Sequence, residues 1–197
     1  MLLNMLKQFN WLDIFILIMI FRVCFIAVKG GFTTEFFKFF GTLTAVYLAM
    51  HYCIFVSDFI MAYLPLEGKI PQELLNSLVF LFLSILGYLL FVLLRLTFNN
   101  FVKIETVSSL NKWGGLTLGM FRALLLVSLI SFNLIISGFP YFKDSVKNSY
   151  LGSRVASVSS DTYSWVWASI FSKFFPSEKE SCIVTDTREE LTKDETR

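Results

Sequence analysis

Hydrophobic residues in this chain fall in long, nearly uninterrupted blocks, and polar residues collect between them. Blocks of about 18 or more residues with few charges are typical of helices that cross a membrane. Four such blocks occur, at about residues 11–28, 36–56, 74–98 and 114–136. With four such blocks in succession, residues 11–137 are predicted to form one compact four-helix membrane domain.

The pattern changes after residue 137, where no further block of membrane length follows. Four large apolar residues in this region recur at i, i+3, i+4 and i+7: Trp167, Ile170, Phe171 and Phe174. Residues 138–175 are therefore predicted to be extramembrane, with an amphipathic helix at about 163–175 on the membrane surface. Residues 176–197 are mostly charged or small and are predicted to be a disordered tail. Residues 1–10 form a short leader.

Composition supports a membrane protein and excludes several other classes. Of 197 residues, 55% are hydrophobic and 16% are charged, whereas soluble domains carry about 25% charged residues. No basic stripe interleaved with aromatic residues occurs, so nucleic acid is not expected as a partner. Cys24, Cys53 and Cys182 lack C-x-x-C spacing, which excludes a zinc ribbon or a self-contained disulfide framework. We expect an all-α, polytopic protein in a lipid bilayer, with no metal or cofactor.

Small residues repeat every four positions on two of the predicted helices. They are Gly41, Ala45 and Ala49 on the second helix, and Gly115, Gly119 and Ala123 on the fourth. Such ridges let helix backbones approach closely in a membrane, where no hydrophobic drive brings helices together. We therefore predict that the two ridges pack against each other.

Three ionisable residues near the ends of the predicted spans form the candidate functional group. Asp13 begins the first helix, Glu35 precedes the second, and Arg122 lies early in the fourth. Ionisable groups in membrane segments are costly and therefore indicate function by default. If the two ridges pair, Glu35 and Arg122 share one membrane face and can form a salt bridge. A structural role for this pair is favoured over a functional one, and both stay open.

The only histidine, His51, lies within the second apolar block. Of the positions three and four residues away, only Tyr47 offers a polar side chain. A packed histidine bonded to Tyr47 or to a backbone carbonyl is favoured over a proton relay. The chain contains no G-x-S-x-G, H-E-x-x-H or phosphate-binding loop motif. We therefore expect that the protein is not an enzyme.

The distribution of basic residues favours one orientation in the membrane. Six lie toward one side of the predicted spans: Lys29, Lys38, Arg95, Lys103, Lys112 and Arg122. Four lie toward the other: Lys7, Lys69, Lys143 and Lys147. Because cytoplasmic loops carry the excess of Lys and Arg, the first and third loops are predicted to be cytoplasmic and both termini to be outside.

Three motifs stand at the heads of the first, second and fourth helices. They are Trp11-Leu12-Asp13, Gly31-Phe32-x-x-Glu35 with Gly41, and Asn111-Lys112-x-x-Gly115-x-x-x-Gly119-x-x-Arg122. Over about residues 10–135, the chain resembles the colicin V production (CvpA) family of small bacterial inner-membrane proteins. The chain departs from the family pattern where Asn111, Lys112 and Ala123 replace Asp, Arg and Gly.

The resemblance implies a role in production or export of the toxin colicin V, with no defined reaction. Two hypotheses follow. In the first, the protein is an accessory or scaffold component of the bacterial inner membrane that binds a membrane or envelope protein. In the second, it is a subunit of a small channel or transporter. Four helices enclose little pore, so the second hypothesis requires a homo-oligomer with Arg22, His51 and Arg122 facing a shared wet path.

Overall fold

The computed structural model describes residues 10–63, 70–101, 108–174, 181, 183–185 and 187. Four long helices come first: α1 (Trp11–Gly30), α2 (Phe32–Tyr63), α3 (Gln72–Phe101) and α4 (Ser108–Ile136). Shorter elements follow: α5 (Pro140–Lys147), α6 (Tyr150–Val166), a π-helical segment (Trp167–Phe171) and α7 (Ser172–Phe174). No strand occurs within these ranges. The predicted leader lies outside the described residues except for Asn10, which caps α1.

Four of the described helices contain segments that are long and apolar enough to cross a membrane. The segments are Trp11–Gly30, Phe32–Tyr63, Gln72–Thr97 and Asn111–Ile136. This confirms the all-α architecture with four transmembrane helices. The helices are longer than the predicted spans, most clearly α2, whose 32 residues measure about 48 Å. Because the hydrocarbon core is about 30 Å thick, part of α2 extends beyond it.

The four long helices form an antiparallel bundle in which α2 packs along α3, and α1 packs along α4. α2 also contacts α4, which joins the two pairs. Large apolar side chains cover the outside of the bundle, among them Phe21 (75% exposed) and Leu93 (64% exposed). An apolar surface of this extent marks a membrane-facing protein.

The small-residue ridge of α2 packs against α3, and not against α4 as predicted. A Cβ atom added to Gly41 would lie 3.0 Å from Phe91 Cβ. On the facing side, a Cβ added to Gly87 would lie 2.8 Å from Ala45 Cα. The prediction of paired ridges is wrong because Gly87, a single small residue on α3, already provides the close approach that Ala45 needs. Ala49 continues this buried ridge.

The small-residue ridge of α4 packs against α1. A Cβ added to Gly115 would lie 3.0 Å from the carbonyl oxygen of Ala27, and one added to Gly119 would overlap the Ala27 side chain. Ala123, at the next turn, is fully buried. Ala27 is isolated in an otherwise bulky helix, so no repeated pattern in the sequence indicated it.

The bundle has two distinguishable ends. The turn between α1 and α2 lies at one of them, which we call the turn end. There Gly31 has a φ of 76°, and Asn111 Oδ1 accepts a hydrogen bond of 2.7 Å from the backbone N–H of Phe32. Phe32 and Asn111 therefore mark a common level on α2 and α4.

The C-terminal helix α6 lies at the opposite end, which we call the α6 end. It begins at Tyr150, earlier than the predicted start near residue 163, and contacts α4, α1 and α2. Its buried face includes Val155, Ala156 and Tyr163. The amphipathic pattern therefore describes only the last part of a longer C-terminal helical region that packs on the bundle.

Three polar contacts attach α6 to the bundle at nearly one depth. The bundle residues are Asp13 on α1, Ser128 on α4 and His51 on α2. At 1.5 Å per residue, these residues lie about 26, 26 and 28 Å from the turn end of their helices. Because the three contacts lie at nearly the same depth, α6 runs roughly perpendicular to the bundle axis. With the turn end at one edge of a hydrocarbon core about 30 Å thick, α6 lies near the opposite interface.

Exposed aromatic residues agree with this placement. Trp11, Tyr141 and Trp165 lie at the α6 end and are 42%, 65% and 67% exposed. Trp113, at the turn end, is 70% exposed. Tryptophan and tyrosine concentrate at the two interfaces of a membrane, so these residues outline both boundaries of the bundle.

A few residues of the predicted tail are described, and they differ from the expected disorder. Residues 183–185 form a helical turn, and the backbone N–H of Val184 donates to the carbonyl of Ser181. Val184 is 1% exposed and joins the core cluster that contains Met50 and Phe132. The charged composition of the tail predicts disorder and gives no indication that Val184 packs into the core. The remaining tail residues lie outside the described part of the chain.

Candidate functional site

Glu35 lies at the centre of a charge cluster at the turn end. Gly31 ends α1, and its carbonyl accepts a hydrogen bond from the backbone N–H of Glu35, which places the side chain inside the first turn of α2. The carboxylate is fully buried. Its Oε1 accepts from Lys38 Nζ at 2.7 Å, and its Oε2 lies 3.2 Å from Arg122 Nη2. One carboxylate therefore joins α2 to α4.

Gly30 leaves space for this carboxylate, because an added Cβ would lie 3.2 Å from Glu35 Oε1. A Cβ added to Gly119 would lie 3.9 Å from Oε2, an ordinary contact distance. Gly119 therefore borders the charge cluster, but it is the Ala27 side chain that requires a glycine there.

The cluster carries more positive than negative charge. Lys38 and Arg122 share the single carboxylate of Glu35, so the three side chains sum to +1. Arg122 Nε and Glu35 Oε2 are buried without a hydrogen-bond partner in the described part of the chain. The Arg122–Glu35 contact is therefore a charge contact and not an aligned hydrogen bond. Removing one member of a buried ion pair leaves an uncompensated charge, which costs about 3–5 kcal/mol.

Asn111 belongs to the same site, although its sequence position indicated only a departure from the family pattern. Its amide oxygen accepts from the N–H of Phe32, one of the first N–H groups of α2. Those groups have no partner within the helix itself. A carboxylate at this position could accept the same hydrogen bond, so the neutral side chain preserves the contact while removing a charge.

Asp13 does not join Glu35 and Arg122, because it lies near the opposite end of α1. Its Oδ2 accepts from the backbone N–H of Asn10 at 2.8 Å, completing a capping box. Its Oδ1 accepts from Ser149 Oγ at 2.6 Å and from the N–H of Leu151 at 2.8 Å. The buried carboxylate thus caps the first turns of both α1 and α6. The candidate group of three residues divides into two separate sites.

Ser128 is a second polar attachment point for α6. Its hydroxyl donates to the carbonyl of Ala156 at 3.2 Å and accepts from the N–H of Ser159 at 2.7 Å. Ser128 is fully buried. No sequence pattern indicates this contact, since a serine in an apolar span usually bonds within its own helix.

His51 is packed, but its polar partner differs from the expected one. Its Nδ1 lies 3.0 Å from the hydroxyl of Tyr163 on α6. Tyr47 instead stacks on the imidazole, with ring centroids 5.3 Å apart. Trp167, in the π-helical segment, stacks on the imidazole as well, at 5.1 Å. Tyr163 is 112 positions away in sequence, so helical spacing on α2 could not indicate it.

The three residues required by the channel hypothesis have different surroundings. Arg22 is exposed on the outer surface of α1. His51 packs against α6 and the π-helical segment, and Arg122 is buried beside Glu35. These positions do not define a shared path. Among the described residues, no group of three His, Cys, Asp or Glu residues could hold a metal ion.

Comparison with known families gives one match. The family model described as Colicin V production protein matches residues 12–175. This range contains the four spans except for Trp11, and it includes the Glu35–Arg122 pair, α6 and the π-helical segment. Comparisons with curated proteins and with solved structures find no match. With most of its length matched, the chain belongs to the Colicin V production protein family.

Proposed function

We propose that this protein is a non-enzymatic accessory or scaffold component of the bacterial inner membrane, required for production or export of a toxin of the colicin V type. Membership in the Colicin V production protein family supports the part of this proposal that concerns toxin production or export. The observation that carries the scaffold role is the attachment of α6 across three spans by polar contacts, buried at Asp13 and Ser128 and partly buried at His51. Such contacts hold a helix in a fixed position and create a rigid surface at one end of the bundle.

The outward face of α6 provides the surface for a membrane or envelope protein partner. Arg154, Asp161 and Trp165 are exposed on this helix. Exposed tryptophan and arginine are enriched among residues that contribute strongly to protein interfaces. A scaffold needs an exposed binding surface, and it needs that surface on a helix held in a fixed position. α6 meets both requirements.

The proposed orientation places the α6 end outside the cytoplasm and the turn end inside. Lys29, Lys38, Lys112 and Arg122 all lie toward the turn end. The excess of Lys and Arg in this region supports a cytoplasmic location. Both termini would then be outside, and the α6 surface would face envelope proteins.

The role is tested in toxin-producing cells that lack this protein. We expect the deletion to reduce secreted toxin and the wild-type chain to restore it. Trp165→Ala should fail to restore secretion while accumulating normally in the membrane. Trp113→Ala removes an equally exposed tryptophan at the other end and should restore it. Normal secretion in the deletion strain would refute the proposed role, and equal behaviour of the two variants would refute the assignment to α6.

A further inference from the structure

A narrow notch separates α2 from α3 near the turn end. Six side chains line it: Phe37, Lys38, Tyr88, Phe91, Val92 and Arg95. Two of the six are cationic and none is acidic. The enclosed volume is only about 10 Å³, so no ligand fits inside the notch. A ligand can only lie over its opening, where the partly exposed side chains of Lys38 and Arg95 are within reach.

Arg95 supplies the main evidence for an anionic ligand. Its Nε atom is buried and has no hydrogen-bond partner within the described ranges. A guanidinium stays charged and offers five N–H donors in a rigid fork. In contact with lipid tails, no water satisfies such donors. Arg95 is only partly buried, so an anion outside the described part of the chain can supply an acceptor at the accessible part of the guanidinium.

The local charge balance leads to the same conclusion. Lys38 and Arg122 share Glu35, whereas Arg95 has no ion-pair partner among the described residues. Three cations and one carboxylate leave an excess of two positive charges. Lys38 uses one of its three donors for Glu35 and retains others. Arginine binds phosphate through two parallel hydrogen bonds, which makes phosphate a well-matched ligand.

The notch lies within reach of the phosphate layer of a membrane. Gly87 packs against Ala45, so eight residues further along α3, Arg95 lies level with Phe37. That position is about 8 Å from Phe32 along α2. Long arginine and lysine side chains near the ends of a membrane helix extend toward the headgroups while their backbone stays in the hydrocarbon region. Arg95 and Lys38 are therefore close enough to the turn end to reach lipid phosphates.

Exposed leucines on α3 favour a lipid over a free anion as the ligand. Leu93, Leu94 and Leu96, next to Arg95 in the chain, are 64%, 50% and 52% exposed. This part of α3 therefore faces lipid, and an anion that reaches Arg95 there is attached to a lipid. We propose that the notch binds the phosphate of an anionic phospholipid through Arg95 and Lys38.

The test measures lipid retention by the full-length protein in phosphatidylcholine nanodiscs titrated with phosphatidylglycerol, read by native mass spectrometry. The wild-type chain should retain phosphatidylglycerol in preference to phosphatidylcholine. Arg95→Gln should weaken retention about fivefold. Arg22→Gln makes the same charge change on the exposed face of α1 and should bind as the wild type does.

Three results would overturn the proposal. The first is equal retention of phosphatidylglycerol and phosphatidylcholine by the wild-type protein. This result is informative even if Arg95→Gln does not fold. Another is an equal loss of phosphatidylglycerol in Arg95→Gln and Arg22→Gln, which would indicate general surface attraction. The third is full displacement of phosphatidylglycerol by inorganic phosphate, which would assign the site to a free anion.

Discussion

At the residue scale, two buried carboxylates hold the helices together in different ways. Glu35 joins α2 to α4 through opposite charges, and Asp13 joins α1 to α6 by accepting hydrogen bonds at helix N-termini. In each case the partner comes from a distant part of the sequence. The two residues make separable contributions to stability, because they lie at opposite ends of the bundle.

Replacing Arg122 with leucine should strongly destabilise the protein. The change leaves Glu35 buried with only Lys38 as its counter-charge, and breaking a buried pair costs about 3–5 kcal/mol. Thermal unfolding in detergent measures the loss. Combining Arg122→Leu with Glu35→Gln should recover part of the stability, since the uncompensated charge is then removed. Arg22→Leu, on the exposed face of α1, serves as the control and should have little effect.

Replacing Asp13 with alanine should uncap α1 and α6 together. Each cap contributes about 1 kcal/mol, so we expect a loss of about 2 kcal/mol in the free energy of unfolding. Limited proteolysis should also cleave the α6 region faster. The matched control is Asp58→Ala, because Asp58 is exposed on α2. Comparable effects of the two changes would contradict the capping role of Asp13.

At the element scale, each small-residue ridge packs against a helix that has little repeated small-residue pattern of its own. The α2 ridge faces Gly87 on α3, and the α4 ridge faces Ala27 on α1. A ridge shows that a helix can approach a neighbour closely, but it does not select the neighbour. A single small residue at the crossing point is sufficient for that.

The pairing of α4 with α1 can be tested by compensation. Gly119→Ala should destabilise the protein, because the added methyl group overlaps the Ala27 side chain. Adding Ala27→Gly removes the opposing methyl group and should restore stability. Adding Ala45→Gly instead should not, since Ala45 faces α3. Rescue by Ala45→Gly alone would support the ridge pairing that the structure rejects. Thermal unfolding of the four proteins measures the outcome.

At the scale of the whole molecule, the sequence predicts the membrane architecture well. Long apolar blocks suffice to locate four spans, because crossing a bilayer imposes a length and a composition on each helix. The sequence also predicts the contact between Glu35 and Arg122, although from a ridge pairing that is wrong. Both residues lie near the turn end in any antiparallel arrangement, so the contact did not depend on that pairing.

The packing of the C-terminal region on the bundle cannot be predicted from the sequence in the same way. The contacts of Ser128 with α6 and of His51 with Tyr163 join positions far apart in the chain. A serine or tyrosine gives no sequence signal that names its partner. The serine-rich composition of α6 is typical of a solvated segment, whereas Ser159 and Ser160 are buried in the structure.

We propose that α6 lies at the interface of the inner membrane that faces away from the cytoplasm. Its exposed face would bind the partner protein there. A membrane-impermeant maleimide tests it in intact cells, using a chain whose native cysteines are replaced by alanine. Arg154→Cys, on exposed α6, should be labelled in intact cells. Trp113→Cys, at the turn end, should be labelled only after the cells are permeabilised. Labelling of Trp113→Cys but not Arg154→Cys in intact cells would contradict the account.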